Sequence, residues 1–312
     1  MNESRIPEVI VIGAGPAGLT AALYLGRYRR DVLVIHDGNS RALRIPKTHN
    51  APGFPHGIEG PDLIDRMTRH AKEFGTRIEE AEVTGIERTA KGFRLTSDSG
   101  TVWESRAVIL ASGIFLNQVD LPHDVHEGAI KADVLRYCPI CDGYEHRDRK
   151  IGVIGCDSDG AAEALFLRQF SADITLMPLS HPELSQEQAG EMAEAGIVVK
   201  TGALAGLEPH SDRMDVRFEG EEAPLAFDVV YPALGCRPRA ELAGQLGITL
   251  VEKGCIPAET VKDSGVPGFF GAGDVVEGLD QISVAMGHGA MAATNAHNWL
   301  REQERPTLKA QD

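Results

Sequence analysis

The chain alternates short apolar runs with glycine turns and amphipathic stretches, and two of its segments repeat that order. Val9-Ile10-Val11-Ile12 is a continuous apolar run of strand length. It leads into Gly13-Ala14-Gly15-Pro16-Ala17-Gly18, after which apolar residues recur at Leu19, Ala22, Leu23 and Leu25. An apolar run, a turn of small residues and a period near 3.6 predict strand, glycine turn and helix. Val32-Leu33-Val34-Ile35 predicts a second strand. The other segment starts at Ile151-Gly152-Val153-Ile154 and turns through Gly155-Cys156-Asp157-Ser158-Asp159-Gly160. It continues as a helix through Ala164-Leu165-Phe166-Leu167 and reaches another strand at Asp173-Ile174-Thr175-Leu176-Met177.

Val108-Ile109-Leu110-Ala111-Ser112-Gly113 reads as a buried strand closing on a tight turn. Gly268-Phe269-Phe270-Gly271-Ala272-Gly273-Asp274-Val275 repeats that form, ahead of a helix rich in small residues over 284–300. With hinges over 117–122 and 235–247, the pattern predicts an α/β fold. Two Rossmann-like, three-layer ββα dinucleotide-binding domains are expected, one inserted in the other: 1–116 plus 246–312 around 117–245. The polar tail 305–312 reads as frayed.

Composition narrows the classes. A length of 312 residues suits about two domains, and 42% hydrophobic with 25% charged residues is ordinary for a globular protein. No apolar run reaches the roughly 18 residues of a membrane span. The first residues lack the basic and apolar regions of a signal peptide, so the expected location is cytoplasmic. A net charge of −15 argues against nucleic acid, whose affinity depends on neutralising phosphates. The charge is uneven: residues 1–75 carry 10 Lys and Arg against 8 Asp and Glu. Arg27, Arg29, Arg30, Arg41 and Arg44 could form a patch for an acidic partner or phosphates, or simply a solvated face.

Two sequences carry chemistry. In the first turn, Gly13 permits the bend, Gly15 admits a pyrophosphate to the backbone, and Gly18 allows close helix–strand packing, with Pro16 and Ala17 opening the helix. The acid that binds ribose is expected about 20 residues on; here His36 and then Asp37 follow the second strand, so either can take the contact. The second sequence is Cys138-Pro139-Ile140-Cys141-Asp142-Gly143. A CxxC in a reducing compartment is redox-active or metal-binding rather than structural. Zinc needs two more ligands, and the chain has no second CxxC and no His-x-x-x-His. His123 and His126 are the nearest candidates, and no metal is expected. Pro139 removes one backbone donor and stiffens the loop.

Gly13–Gly18, Ala111-Ser112-Gly113, Cys138–Gly143, Gly271-Ala272-Gly273-Asp274 and Gln281 together resemble the low-molecular-weight thioredoxin reductase family, in order and spacing over essentially the whole chain. The resemblance implies FAD on the first domain, with Asp274 on its ribityl chain and Gln281 and Ile282 near the flavin ring. Asn50 is implied for the flavin-proximal loop. It also implies a homodimer and a thioredoxin-like partner. By the same carry-over Cys141 faces the flavin, Cys138 exchanges with the partner sulfur, and Asp142 moves the proton.

The second glycine turn departs from the family. Aligned on Gly155, the middle glycine is Asp157, and Asp159 adds a second carboxylate where N–H groups should meet a pyrophosphate. Met177-Pro178-Leu179-Ser180-His181 offers none of the basic residues that grip a 2′-phosphate in NADPH-using relatives. The expectation is a flavin-dependent thiol–disulfide oxidoreductase with a doubtful NADPH site, reduced by a protein donor such as a ferredoxin. Three alternatives stay open: an oxygen-linked small-dithiol oxidase of the gliotoxin and holomycin type, an NADPH-dependent thioredoxin reductase, and a non-enzymatic flavin-binding sensor. Cys156, Cys236 and Cys255 read as ordinary small residues. Of His49, His123, His126 and His288, the pair His123 and His126 is the first choice for an auxiliary base.

Overall fold

The computed structural model describes residues 6–304; the tail expected to fray, 305–312, lies outside the described residues. The chain forms two compact units. One comprises Met1–Lys47, Ala51–Phe115 and Arg237–Asp312, the other Thr48–Asn50 and Leu116–Cys236.

The first unit is built on a five-stranded parallel sheet in the order Phe269–Gly271, Ala107–Leu110, Val9–Ile12, Val32–His36, Arg77–Glu80. The central strands are fully buried, which is why they read as unbroken apolar runs rather than alternating ones. Helix Pro16–Arg27 covers this sheet together with the long helix Ile282–Glu304. The small residues of the long helix have a packing cause: a Cβ on Gly289 would overlap the Ala17 carbonyl, and Ala292, Ala293 and Ala296 are fully buried. The helix begins two residues earlier and ends four later than its small-residue pattern predicts. A three-stranded antiparallel sheet (Val83–Thr89, Gly92–Ser97, Val102–Ser105) completes the unit.

The second unit repeats the plan. Its parallel sheet runs Val198–Val199, Ile174–Met177, Ile151–Ile154, Val229–Pro232, and its antiparallel sheet Leu204–Pro209, Met214–Phe218, Leu225–Phe227. Helix Ser158–Leu167 follows the first of these strands in sequence. Each unit is thus a Rossmann-type α/β fold with a small antiparallel sheet added. Apart from the short excursion at 48–50, the chain passes between them at 115/116 and 236/237.

Candidate active site: a dinucleotide cradle and a redox disulfide

In the first unit, strand Val9–Ile12 delivers Gly13 into the left-handed region, with φ of 110°. A Cβ on Gly13 would overlap the Ala111 carbonyl, and one on Gly18 would overlap the Gly13 carbonyl. Both positions therefore need glycine for the turn itself. Gly15 differs: a Cβ there meets only Ser40 Oγ, at 3.3 Å, so its backbone is bare toward a cavity. That cavity, of about 410 Å³, is lined by Gly13, Gly15, Pro16, Ala17, His36, Asp37, Ala111, Ser112, Gly113, Gly273, Asp274 and Ile282. Most of the residues expected to bind a dinucleotide are thus brought together. Asn50 and Gln281 are not among the lining residues; Asn50 belongs to the other unit, where its amide donates to the Ile140 carbonyl at 3.4 Å.

The acid after the second strand is Asp37. Its carboxylate accepts from Arg239 at 2.6 Å and from the Asn39 N–H at 3.0 Å. Burial pushes its pKa up, but these donors outweigh burial and hold the carboxyl below its usual range. His36 accepts the Gly38 N–H at 3.0 Å. Arg239 was invisible to sequence reasoning, because nothing in its own segment marks it. It is fixed by Ser112 Oγ on its carbonyl at 2.6 Å, by its N–H on the Gly113 carbonyl at 3.0 Å, and by the Phe115 ring 4.6 Å from its guanidinium. At the far side Asp274 is raised by burial against the opposing charges of Arg41 and His288. Asp280 is pushed up to about 6 by burial and by Asp274. The bare Gly15 backbone, the amino end of helix Pro16–Arg27 and the charged pair Asp37–Arg239 fit the pyrophosphate and ribose of a dinucleotide.

Two of the early arginines are engaged by acids, while Arg27, Arg29 and Arg44 are exposed. Arg30 is buried between Glu8 and Glu304 at 2.7 and 2.8 Å. Arg41 lies 3.4 Å from Asp274, and Arg27 covers the Phe74 ring.

In the second unit Cys138 and Cys141 form a disulfide, with Cα atoms 5.3 Å apart, on the single helical turn Pro139–Asp142. Pro139 sits at the first helical position, where its missing N–H costs nothing. Gly143 is required behind the turn, since a Cβ there would press on the Phe170 ring at 2.8 Å and the Pro139 carbonyl at 2.6 Å. Both cysteines are half-buried, while Ile140 and Tyr144 beside them are exposed.

Asp142 faces inward. Tyr231, fully buried at the end of its strand, donates its phenol proton to Asp142 Oδ1 at 2.7 Å. Arg136 Nε lies 3.3 Å from Oδ2 and also pairs with Asp133. Burial pushes the Asp142 carboxyl up, against the Tyr231 hydrogen bond and the Arg136 charge. His146 is buried with its ring edge-on to Tyr231, and desolvation depresses its pKa. Sequence reasoning missed Arg136, His146 and Tyr231. Of its own choices, His123 begins the helix His123–Lys131, and His126 is buried with Nε2 2.7 Å from the Tyr137 hydroxyl. Cys156 is buried and pushed up to about 11 by desolvation and Asp157, an inert thiol.

The second glycine turn keeps its backbone form. Gly155 has φ of 126°, and a Cβ on Gly160 would overlap the Gly155 carbonyl. At the start of the helix that follows, Asp157 Oδ1 accepts the Gly160 N–H at 2.9 Å and caps helix Ser158–Leu167. Glu163, one turn further on, has a buried Oε2 with no hydrogen-bond partner, and burial together with Asp159 and Asp157 raises it to about 7. Beyond the next strand, Glu183 donates its N–H to the Cys156 carbonyl at 2.7 Å, and His181 pairs with Glu183 at 3.0 Å.

Two Rossmann-type units, one with a dinucleotide cradle and the other with a CxxC disulfide and an adjacent buried acid, define a disulfide oxidoreductase of the flavoprotein class. The chain belongs to the pyridine nucleotide-disulphide oxidoreductase family, whose profile matches residues 7–289. It is 31% identical over 317 residues to a thioredoxin reductase of Streptomyces coelicolor, covering 95% of each chain. Among solved structures it resembles HlmI, with a TM-score of 0.88 and 26% identity over 97% of this chain and 95% of that one. It also resembles the thioredoxin reductase of Streptococcus pyogenes, with a TM-score of 0.87 and 25% identity over 95% and 99%. The chain is therefore a thioredoxin reductase-like oxidoreductase, an enzyme of a family whose members bind FAD. Among the described residues no helix is long and apolar enough to cross a membrane, and no group of three or more His, Cys, Asp or Glu is placed to hold a metal ion.

Proposed function

We propose that this enzyme passes electrons between FAD and a partner dithiol or disulfide through Cys138 and Cys141, and that it does so without NADPH. Gly13, Gly15, Pro16 and Ala17 would hold the pyrophosphate, with Gly18 packing the helix behind them. Asp37, with His36 and Arg239 beside it, would meet the adenosine ribose. Ala111, Ser112, Gly113, Gly273, Asp274 and Ile282 would hold the rest of the cofactor, joined by Asn50 and Gln281. When bound, the flavin supplies two-electron chemistry; the chain supplies position and proton traffic. Cys138, the more N-terminal sulfur, is assigned to exchange with the partner, Cys141 to the internal electron transfer, and Asp142 to the proton that each thiol gains or loses.

One observation carries NADPH independence: the Asp157 carboxylate occupies the amino end of helix Ser158–Leu167, where a nucleotide phosphate would need free N–H groups. Asp159 and Glu163 add acidic groups to the same turn. The electron donor would then be a protein such as a ferredoxin, and the partner a thioredoxin-like protein, in a homodimeric cytoplasmic enzyme. A second reading is favoured by a different observation. Arg30 and Arg41 are engaged internally, which weakens docking of an acidic donor, while exposed Ile140 and Tyr144 flank the disulfide. That arrangement suits oxidation of a small apolar dithiol, with oxygen as the final acceptor.

The test is anaerobic mixing of the yellow protein with a reduced ferredoxin and, separately, with dithiols, while flavin absorbance is followed. Bleaching by ferredoxin supports the first reading. Bleaching by dithiol, with hydrogen peroxide on admission of air, supports the second. A Cys138→Ser protein with unchanged turnover in both assays would contradict each of them.

A further inference from the structure

The acid beside the disulfide is held by a fully buried tyrosine from a strand about 90 residues further along the chain. We propose that Tyr231, with Arg136, is a positioning residue that fixes the Asp142 carboxyl and sets the pH at which the Cys138–Cys141 disulfide opens. The inference deepens the reading of Asp142 as proton carrier and rests on it.

The geometry is specific. Tyr231 Oη donates to Oδ1 at 2.7 Å, and Arg136 Nε lies 3.3 Å from Oδ2 without a hydrogen bond, so one carboxylate oxygen accepts a hydrogen bond and the other sits beside a guanidinium charge. The other charged or titratable neighbours are His146 and Glu145. His146 is buried, and desolvation keeps it neutral near neutral pH; Glu145 is exposed and opposes the negative charge. Tyr231 cannot leave its post easily, because it lies at 0% exposure in the core of the parallel sheet. Its phenol can only donate to Asp142, since the same carboxylate and burial drive its own ionisation far out of range. The hydrogen bond therefore favours the charged carboxylate, against the desolvation that favours the neutral acid.

The chemical consequence is a proton balance. An incoming thiolate attacks Cys138, forms a mixed disulfide, breaks the Cys138–Cys141 bond and releases the Cys141 thiolate. Asp142 in its acid form gives that sulfur a proton and becomes a carboxylate, which Tyr231 and Arg136 then stabilise. In the reverse direction the carboxylate takes the proton back. Opening is thus favoured below the Asp142 midpoint, and whatever moves that midpoint moves the reaction with it.

The experiment is an infrared titration of the oxidised holoenzyme, with the Asp142 carboxyl band identified by its loss in Asp142→Asn. The expected wild-type midpoint lies above the ordinary aspartate value of about 3.9. Tyr231→Phe, which keeps the ring and the packing, should raise it by about one pH unit. Arg136→Gln should raise it as well, and Arg136→Lys should retain most of the wild-type value. The rate of disulfide opening by dithiothreitol, corrected for its thiolate fraction, should fall with rising pH at the same midpoint and move with it in Tyr231→Phe. A folded Tyr231→Phe protein whose carboxyl band titrates as in wild type overturns the proposal. So does a band that moves while the opening profile stays fixed, provided Asp142→Asn still slows opening. If Asp142→Asn leaves opening unchanged, the proton-carrier reading itself fails, whatever Tyr231 does to the band.

Discussion

Asp157 Oδ1 accepts the backbone N–H of Gly160 at 2.9 Å, closing the amino end of a Rossmann helix with the protein's own carboxylate. A helix start of this kind normally offers N–H groups and a positive dipole end to a phosphate. Here one such donor is already satisfied and the local charge is negative. The backbone needed for the turn, Gly155 and Gly160, is intact, so the turn keeps its form while its side chains carry acids. Asp157→Ala should remove the cap and destabilise the protein by about 1 kcal/mol. Thermal denaturation measures that loss. The same variant should gain little NADPH affinity, because no arginine or lysine follows the strand Ile174–Met177 in Met177-Pro178-Leu179-Ser180-His181.

Glu163 should make stability depend on pH in an unusual direction. Its folded pKa is raised to about 7 from the usual carboxylate range, so the folded state holds the proton more tightly than the unfolded chain. The stabilisation is fully present below about pH 4.5, diminishes as pH rises and is gone above about 7. Glu163→Gln should flatten this dependence and stabilise the protein at pH 8 by on the order of 1–2 kcal/mol, after allowance for partial exposure. Denaturant unfolding at pH 5 and pH 8 reads the difference. Stability of wild type that rises steadily across that interval, with Glu163→Gln tracking it, would show that the buried carboxyl is not the source.

Two glycines in one turn should fail differently. Gly15→Val points a side chain into the cavity without meeting backbone, so the protein should fold and lose its flavin. Gly18→Ala drives a methyl into the Gly13 carbonyl and should destabilise by about 1–3 kcal/mol. The ratio of flavin to protein absorbance, read beside circular dichroism, separates the two.

The partition of this chemistry between readable and hidden residues has a physical cause. Strand, turn and helix were legible at 9–27 and at 151–167 because both depend on local patterns: buried parallel strands are uniformly apolar, and tight turns demand glycine. The CxxC-Asp was legible because its residues are contiguous. Arg239, Tyr231, Arg136 and His146 were not, since each meets its partner through the fold. Tyr231 lies within Val229-Val230-Tyr231-Pro232, a run whose composition says only that a strand is buried there. The contact of His126 with Tyr137 was hidden for the same reason, since the two lie eleven residues apart.

Histidine substitution tests that last point. His126→Gln should cost about 1 kcal/mol of stability through the weakened contact with Tyr137. It should leave the rate of disulfide opening within about twofold, a change of roughly 0.4 kcal/mol. A tenfold loss of opening rate in a folded His126→Gln protein would instead make His126 the auxiliary base.

The proposed independence from NADPH is tested most directly by anaerobic stopped-flow mixing of the flavin-loaded enzyme with excess NADPH, followed through the flavin absorbance band. The occupied helix end at Asp157 predicts no reduction on the time scale of turnover, with full bleaching on later addition of a competent protein donor or dithiol. Rapid bleaching by NADPH itself would contradict it.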